Sequence, residues 1–329
     1  MTILITGGSG FIGGHLAEHF VRDGHNVVVL DTLNSFYQVD IKQKNIETAA
    51  VAAEDGDGEY QFIRGNVTDR DLVERIVSDV EYVFHHAAQA GVRASVENPQ
   101  RTTQINVQGT FTLLEAAREA DIERFVNASS SSVYGKPEYL PYDEAHPTTP
   151  VSPYGASKLA AEHYVRVYNE VYKLPSVSLR YFTVYGPRMR PNMAFTNFVS
   201  RSIHAESPII YGDGNQTRDF TYVGDVVDAN RRLLDTDAAD GEVLNIGSTD
   251  RIMIEELARV IRDEIDPTVE IVKTDRREGD TKHTHADVSK ANELIGYEPK
   301  ISIEEGANNF IQWYRRNIDW YDELVQRSK

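Results

Sequence analysis

The chain has 329 residues, with 51 Asp and Glu against 34 Lys and Arg, a formal charge of −17. That balance argues against a nucleic-acid partner, which demands a cationic footprint. There is no Cys, so disulfide frameworks, thiolate metal sites and thiol nucleophiles are excluded; no metal site is expected. No apolar run approaches the roughly 20 residues of a membrane span.

The apolar run Thr2–Thr6 reads as a buried strand. No basic-then-apolar leader precedes it, so a cytoplasmic protein is expected. Phe11–Arg22 reads as a helix, with Ile12, Leu16 and Phe20 on one face. Residues 26–30 form the second expected strand, 41–53 a helix ending in Asp55-Gly56-Asp57-Gly58, and Tyr60–Arg64 the third strand. A helix over 69–77, capped by Asp69, precedes a strand at Tyr82–His85. A long helix over 101–120, a strand at 124–128 and a helix from Ser157 follow. Strands at 177–180 and 242–246 complete the pattern. Strands alternating with helices predict an α/β protein built on a Rossmann-type, doubly wound parallel sheet.

The second half differs. Pro/Gly/Asn-rich stretches at 185–192, 211–217 and 276–280 are too long for simple connections. The expected division is a first domain of 1–182 with 236–249, and a smaller lobe of 183–235 with 250–329. Met253 cannot cap a helix through an oxygen, so Thr249 or Asp250 is expected to do so.

Between the first strand and helix lies Thr6-Gly7-Gly8-Ser9-Gly10-Phe11-Ile12-Gly13. Gly7 permits a sharp turn, Gly10 lets backbone approach a pyrophosphate, and Gly13 lets helix and strand pack closely. The helix N-terminus then offers free N–H groups to the anion. A Gly-rich turn in that setting predicts a dinucleotide site. Asp31, at the end of the second strand, suits both adenosine-ribose hydroxyls and repels a 2′-phosphate, which favours NAD over NADP. Asn66 and Val67 follow the third strand, where an adenine edge would lie.

Tyr154 and Lys158 are four residues apart, so on a helix they share a face. An ammonium beside a phenol stabilises the phenolate, which suits Tyr154 to proton abstraction. Ser129, Ser130, Ser131 and Ser132 follow the fifth strand, and one of these hydroxyls can bridge a substrate oxygen and the phenol.

With these residues placed, the chain resembles the extended short-chain dehydrogenase/reductases, and among them the nucleotide-sugar 4-epimerases. The matching pieces are 6–13 (TGGSGFIG), 85–99 (HHAAQAGVRASVENP), 106–110 (NVQGT), 128–135 (ASSSSVYG), 154–158 (YGASK), 180–195 (RYFTVYGPRMRPNMAF), 217–225 (TRDFTYVGD) and 276–280 (RREGD). The resemblance implies that Tyr154 is the base, Lys158 its electrostatic partner and a ribose ligand, and Ser130 the bridging hydroxyl. It implies NAD contacts at Gly7, Gly10, Phe11, Ile12, Asp31, Asn34, Ala87, Ala88 and Gln89, with Asn106 holding helix and strand together. It makes Arg218 and Arg277 diphosphate clamps, with Tyr222 nearby and Asp280 on the nucleotide ribose. It also implies a tightly bound, recycled NAD and a homodimer.

Related 4,6-dehydratases carry an Asp-Glu pair after the bridging hydroxyl; here Ser131 and Ser132 stand there. The 85–99 and 180–195 stretches look most like UDP-glucuronate 4-epimerases, with Arg190, Ser131 and Ser132 suited to a C6 carboxylate. Thr183 occupies a place where UDP-glucose 4-epimerases commonly have Asn. UDP-glucose/UDP-galactose epimerisation, or a nucleotide-sugar dehydrogenase that releases NADH, are the alternatives.

Overall fold

The computed structural model describes residues 1–248, 250–275 and 282–325. In chain order its strands are β1 Thr2–Thr6, β2 Asn26–Asp31, β3 Tyr60–Arg64, β4 Tyr82–His85, β5 Arg124–Ser130, β6 Ser176–Tyr181, β7 Thr183–Tyr185, β8 Ile209–Tyr211, β9 Thr217–Arg218, β10 Phe220–Tyr222, β11 Val243–Ile246, β12 Ile252–Met253 and β13 Val272–Thr274. Seven of them form one parallel sheet in the order β3-β2-β1-β4-β5-β6-β11. The expected doubly wound sheet is present. From β1 the chain runs outward to β3 and then returns to place β4 beside β1, which opens a crevice at the C-terminal ends of those two strands.

Alternation along β1 fills both faces. Ile3 and Ile5 enter a core shared with Leu16 and Phe20 of helix Phe11–Arg22, whereas Leu4 enters a core shared with Val73, Leu113 and Val165. Helix Val223–Arg232 returns from the second half of the chain and packs Val226, Val227 and Ala229 into the first of these cores. A third apolar cluster joins Tyr185, Phe195, Phe198, Leu257, Phe310 and Tyr314. It carries the short pairs β7–β10, β8–β13 and β9–β12, and Ile41 from helix Val39–Glu54 reaches into it.

Four local expectations change. The helix expected from Ser157 begins at Pro153, because Ser152 accepts the Gly155 N–H and Pro153 occupies the first helical position. The expected 101–120 helix is interrupted: α-helix Pro99–Thr103 passes through a π turn at Gln104–Gln108 into α-helix Gly109–Ala120. A short helix at Val92–Glu97, entered through Gly91 at φ 99°, was not anticipated. At Ile254–Ile265 Met253 is the N-cap residue; the Gln216 and Gly214 carbonyls accept the first N–H groups of that helix, so no side-chain cap is needed. Thr249 lies outside the described residues.

Candidate active site

A cavity of about 1550 Å³ opens from the crevice between β1 and β4 into the second half of the chain. Its floor at one end is the Gly-rich turn. Gly7 sits at φ 68°, and a Cβ there would lie 2.7 Å from the Ala87 nitrogen; a Cβ on Gly13 would lie 2.5 Å from the Gly7 carbonyl oxygen. The turn is therefore wedged between the β4 end and the helix, with backbone closing on Gly7 and Gly13. Gly10 caps the helix without a side chain, and the first turn carries no acidic residue. Its N–H groups stay available to an anion. Gly8, which the sequence reading gave no role, packs its Cα under Val29, where a Cβ would meet that side chain at 2.7 Å.

Asp31 is buried at the end of β2 and accepts the Leu33 N–H at 2.8 Å. Phe11, Ile12, Asn34, Asn66, Val67, Ala87 and Ala88 line the same stretch of cavity. Asn66 already spends its side-chain oxygen on the Thr68 N–H. Gln89 lies behind the wall, its backbone N–H and C=O held by Asn106 at 2.7 and 3.3 Å. The Asn106 amide also donates to the Ser157 hydroxyl at 2.9 Å. Asn106 thus ties its π turn to the β4 loop and to the Tyr154 helix. An anion cradle of backbone followed by a carboxylate at the β2 end fits NAD, and these residues would hold it.

Lys42 was missed. It is buried, lines the cavity, and donates to the carbonyl and side-chain oxygens of Asn34 at 3.0 and 3.3 Å. Burial lowers its pKa while nearby Asp31 raises it. Its only sequence signal is a Lys one turn into an otherwise ordinary helix.

Tyr154 and Lys158 face the cavity at its middle, from the first two turns of helix Pro153–Tyr172. The Ser130 hydroxyl donates to the Ser132 hydroxyl at 3.1 Å and lies near enough to the phenol to favour its deprotonated form. Lys158 donates to the Ala128 carbonyl at 2.6 Å, and burial pushes its pKa down to about 8, with Glu162 opposing. Burial raises the phenol pKa, against Ser130 and the Arg190 charge. The protein by itself therefore keeps Tyr154 protonated, and Lys158 is not among the groups that lower it.

All four serines line the cavity, and the Ser129 hydroxyl donates to buried Glu162. Thr183 and Arg190 line the opposite wall. The Arg190 guanidinium lies 5.4 Å over the Phe36 ring, its Nη2 is 3.4 Å from the Met193 sulfur, and no carboxylate among the described residues pairs with it. Arg218 lines the far end and donates to the Thr217 and Lys282 carbonyls. Tyr222 is not in the cavity wall; it packs against Tyr185 in the third cluster. Arg277 and Asp280 lie outside the described residues.

The GDP-mannose 4,6 dehydratase family model matches residues 4–310. The chain belongs to this family. Its relatives include a protein of Methanocaldococcus jannaschii described as a putative UDP-glucose 4-epimerase, 40% identical over 96% of this chain and 99% of the relative. The UDP-glucuronate 4-epimerase of Thermodesulfobacterium geofontis is 34% identical, covering 99% and 98%. Among solved structures, the Bacillus cereus UDP-glucuronic acid 4-epimerase in complex with UDP-glucuronic acid and NAD superposes with a TM-score of 0.89, at 34% identity over 96% of this chain and 99% of that one. The family description names a dehydratase, yet the two positions after Ser130 hold hydroxyls here, which lack the acid–base range for removing a carbon-bound proton and a C6 hydroxyl.

Proposed function

We propose that the chain is an NAD-dependent 4-epimerase of UDP-sugars whose substrate pair is UDP-glucuronate and UDP-galacturonate. The observation that carries this reading is the convergence on one cavity of Tyr154, Lys158 and Ser130 with Ser131, Ser132, Thr183 and an Arg190 that has no carboxylate partner among the described residues. NAD supplies a reversible hydride acceptor. Tyr154 takes the O4 proton as the C4 carbon is oxidised, Ser130 holds that oxygen against the phenol, and Lys158 supplies positive charge beside it. The 4-keto sugar then presents its other face, and Tyr154 returns the proton to the new hydroxyl. A positively charged ring beside Tyr154 offsets the burial that otherwise keeps the phenol protonated.

Arg190 discriminates substrates, because a carboxylate at C6 accepts from its guanidinium and a hydroxymethyl group gains far less. In Arg190→Ala, with NAD saturating, KM for UDP-glucuronate should rise about 10–100-fold, the loss expected for a hydrogen bond to a charged group. KM for UDP-glucose should change little. Product identification by NMR on both substrates checks this. Equal effects on the two sugars would remove the carboxylate assignment.

A homodimer completes the proposal. Helices Gly109–Ala120 and Pro153–Tyr172 expose Phe111, Tyr164, Val167, Val171 and Tyr172 on adjoining turns, and the Phe111 and Tyr164 rings meet edge to face at 5.9 Å. Such a contiguous apolar face suits a second copy of the chain. Light scattering should give the mass of two chains; a monomer at micromolar concentration would refute it. Among the described residues no helix is long and apolar enough to cross a membrane.

A further inference from the structure

The far end of the cavity takes its two cations from distant parts of the chain. β9 contributes Arg218, and the segment 282–286 contributes Lys282. That segment runs beside β9 like an added strand. The Thr217 N–H donates to the Lys282 carbonyl at 3.1 Å, and the Thr284 N–H donates to the Thr217 carbonyl at 3.2 Å. Arg218 Nη1 donates to the same two carbonyls, at 2.9 Å to Thr217 and 3.2 Å to Lys282. The aim of the guanidinium therefore depends on how the segment sits against β9.

The residue after Arg218 locks that arrangement. Asp219 has no exposed surface. One of its carboxylate oxygens accepts the Ser248 N–H at 2.8 Å, the Ser248 hydroxyl at 3.1 Å and the Thr221 hydroxyl at 3.3 Å, and the other accepts the Ala286 N–H at 2.9 Å. Its own N–H donates to the Thr284 hydroxyl at 3.1 Å, and its carbonyl accepts the Thr183 N–H at 3.1 Å. Gly247 leaves room for this junction: a Cβ there would lie 2.4 Å from the Ala286 Cβ and 3.1 Å from a carboxylate oxygen of Asp219.

Every group bonded to this carboxylate is a neutral donor. A buried charge with no counterion is costly unless hydrogen bonds satisfy it. Burial lifts the Asp219 pKa to about 6, while the Ala286 and Ser248 donors and the His285 charge pull it back, so the group is ionised at neutral pH. One acidic side chain thus joins β9, the turn after β11 and the 282–286 segment. Its backbone adds Thr183, which lines the sugar end of the same cavity.

We propose that Asp219 is the positioning residue of the nucleotide end of the substrate site: it pins the 282–286 segment and Ser248 against β9, and so holds Arg218 and Lys282 in place to receive the diphosphate of a sugar nucleotide. Two cations at the end of the cavity away from the dinucleotide cradle suit that doubly charged group. Asp219 touches neither substrate nor cofactor and acts through its neighbours. The inference rests on the UDP-sugar reading and is independent of which sugar is accepted.

The test uses the NAD-loaded protein. UDP is titrated calorimetrically, and kcat and KM are measured for the UDP-sugar that wild type epimerises. In Asp219→Asn one acceptor oxygen becomes an NH2 group facing either the Ser248 or the Ala286 donors. Kd for UDP should rise about tenfold or more, the scale of lost bonds to a charged acceptor. KM should rise by a like factor, with kcat within about threefold of wild type and NAD content unchanged. An unaltered Kd for UDP overturns the proposal. So does a fall in kcat with KM unchanged, or loss of NAD, which mark a fold loosened throughout. Should Asp219→Asn not fold, Thr284→Val removes only the acceptor of the Asp219 N–H and should weaken UDP binding about 3–10-fold; wild-type affinity there overturns the proposal instead. Wild type that fails to bind UDP overturns the UDP-sugar reading and this proposal together, whereas UDP binding that Asp219→Asn leaves intact overturns this proposal alone.

Discussion

Tyr154→Phe should lose about a thousandfold or more of its epimerase turnover while keeping its fold and its NAD. A positioned general base contributes on the order of 10²–10⁴ in rate, and here one phenol both removes and returns the O4 proton. The substitution deletes only an oxygen that stands near the Ser130 hydroxyl. The ring stays in a helix whose start is fixed independently by Ser152 and Pro153. Turnover is followed as the appearance of the C4 epimer by NMR, and NAD content by chromatography. A variant that epimerises at the wild-type rate would dismiss Tyr154 as the base. Loss of activity together with loss of NAD would instead assign the ring to cofactor binding. Lys158→Met gives the complementary result. The Lys158 ammonium is buried, with its pKa pushed down to about 8, so it still carries most of its charge at pH 7, and its removal should depress turnover by taking a positive charge from beside the reacting oxygen.

The parts of this site that lie close in sequence were legible before the structure was known. The Gly7–Gly13 turn follows a strand and opens a helix, and Gly7 and Gly13 prove to be enforced by neighbouring backbone. Tyr154 and Lys158 carry their relation in a four-residue spacing. What escaped depends on groups that meet only through packing. The break in the 101–120 helix has no Pro or Gly at the π turn; it is set by Asn106 reaching the Gln89 backbone. Lys42 looks like an ordinary surface residue until its bonds to Asn34 are seen. Tyr222 is four residues from Arg218 but in a separate strand: β9 pairs with β12 and β10 with β7, so the two side chains do not share a face. The Arg218 side chain faces the cavity, whereas Tyr222 turns into the third cluster.

The largest stability effect is expected at a pair on no catalytic list. Arg180 on β6 and Glu162 on the Tyr154 helix are 5% and 4% exposed. Arg180 Nε and Nη2 donate to the two Glu162 oxygens at 2.9 and 2.7 Å, and Nη1 donates to the Tyr134 hydroxyl at 2.9 Å. Ser129 donates to the same carboxylate. Glu162→Gln keeps the shape and leaves the Arg180 charge buried without its counterion, which costs about 3–5 kcal/mol. Urea denaturation should show that loss. The double variant Glu162→Met, Arg180→Met should recover most of it, because an apolar pair of similar volume replaces a buried ion pair at little net cost. Equal stability of Glu162→Gln and wild type would show that water reaches the pair. The same substitution bears on catalysis through its sign. The Glu162 charge raises the Lys158 pKa against desolvation, so removing it lets Lys158 lose its proton at lower pH. In Glu162→Gln the alkaline fall in activity should therefore begin at lower pH than in wild type, whereas a merely loosened fold would lower activity at every pH without moving that limb.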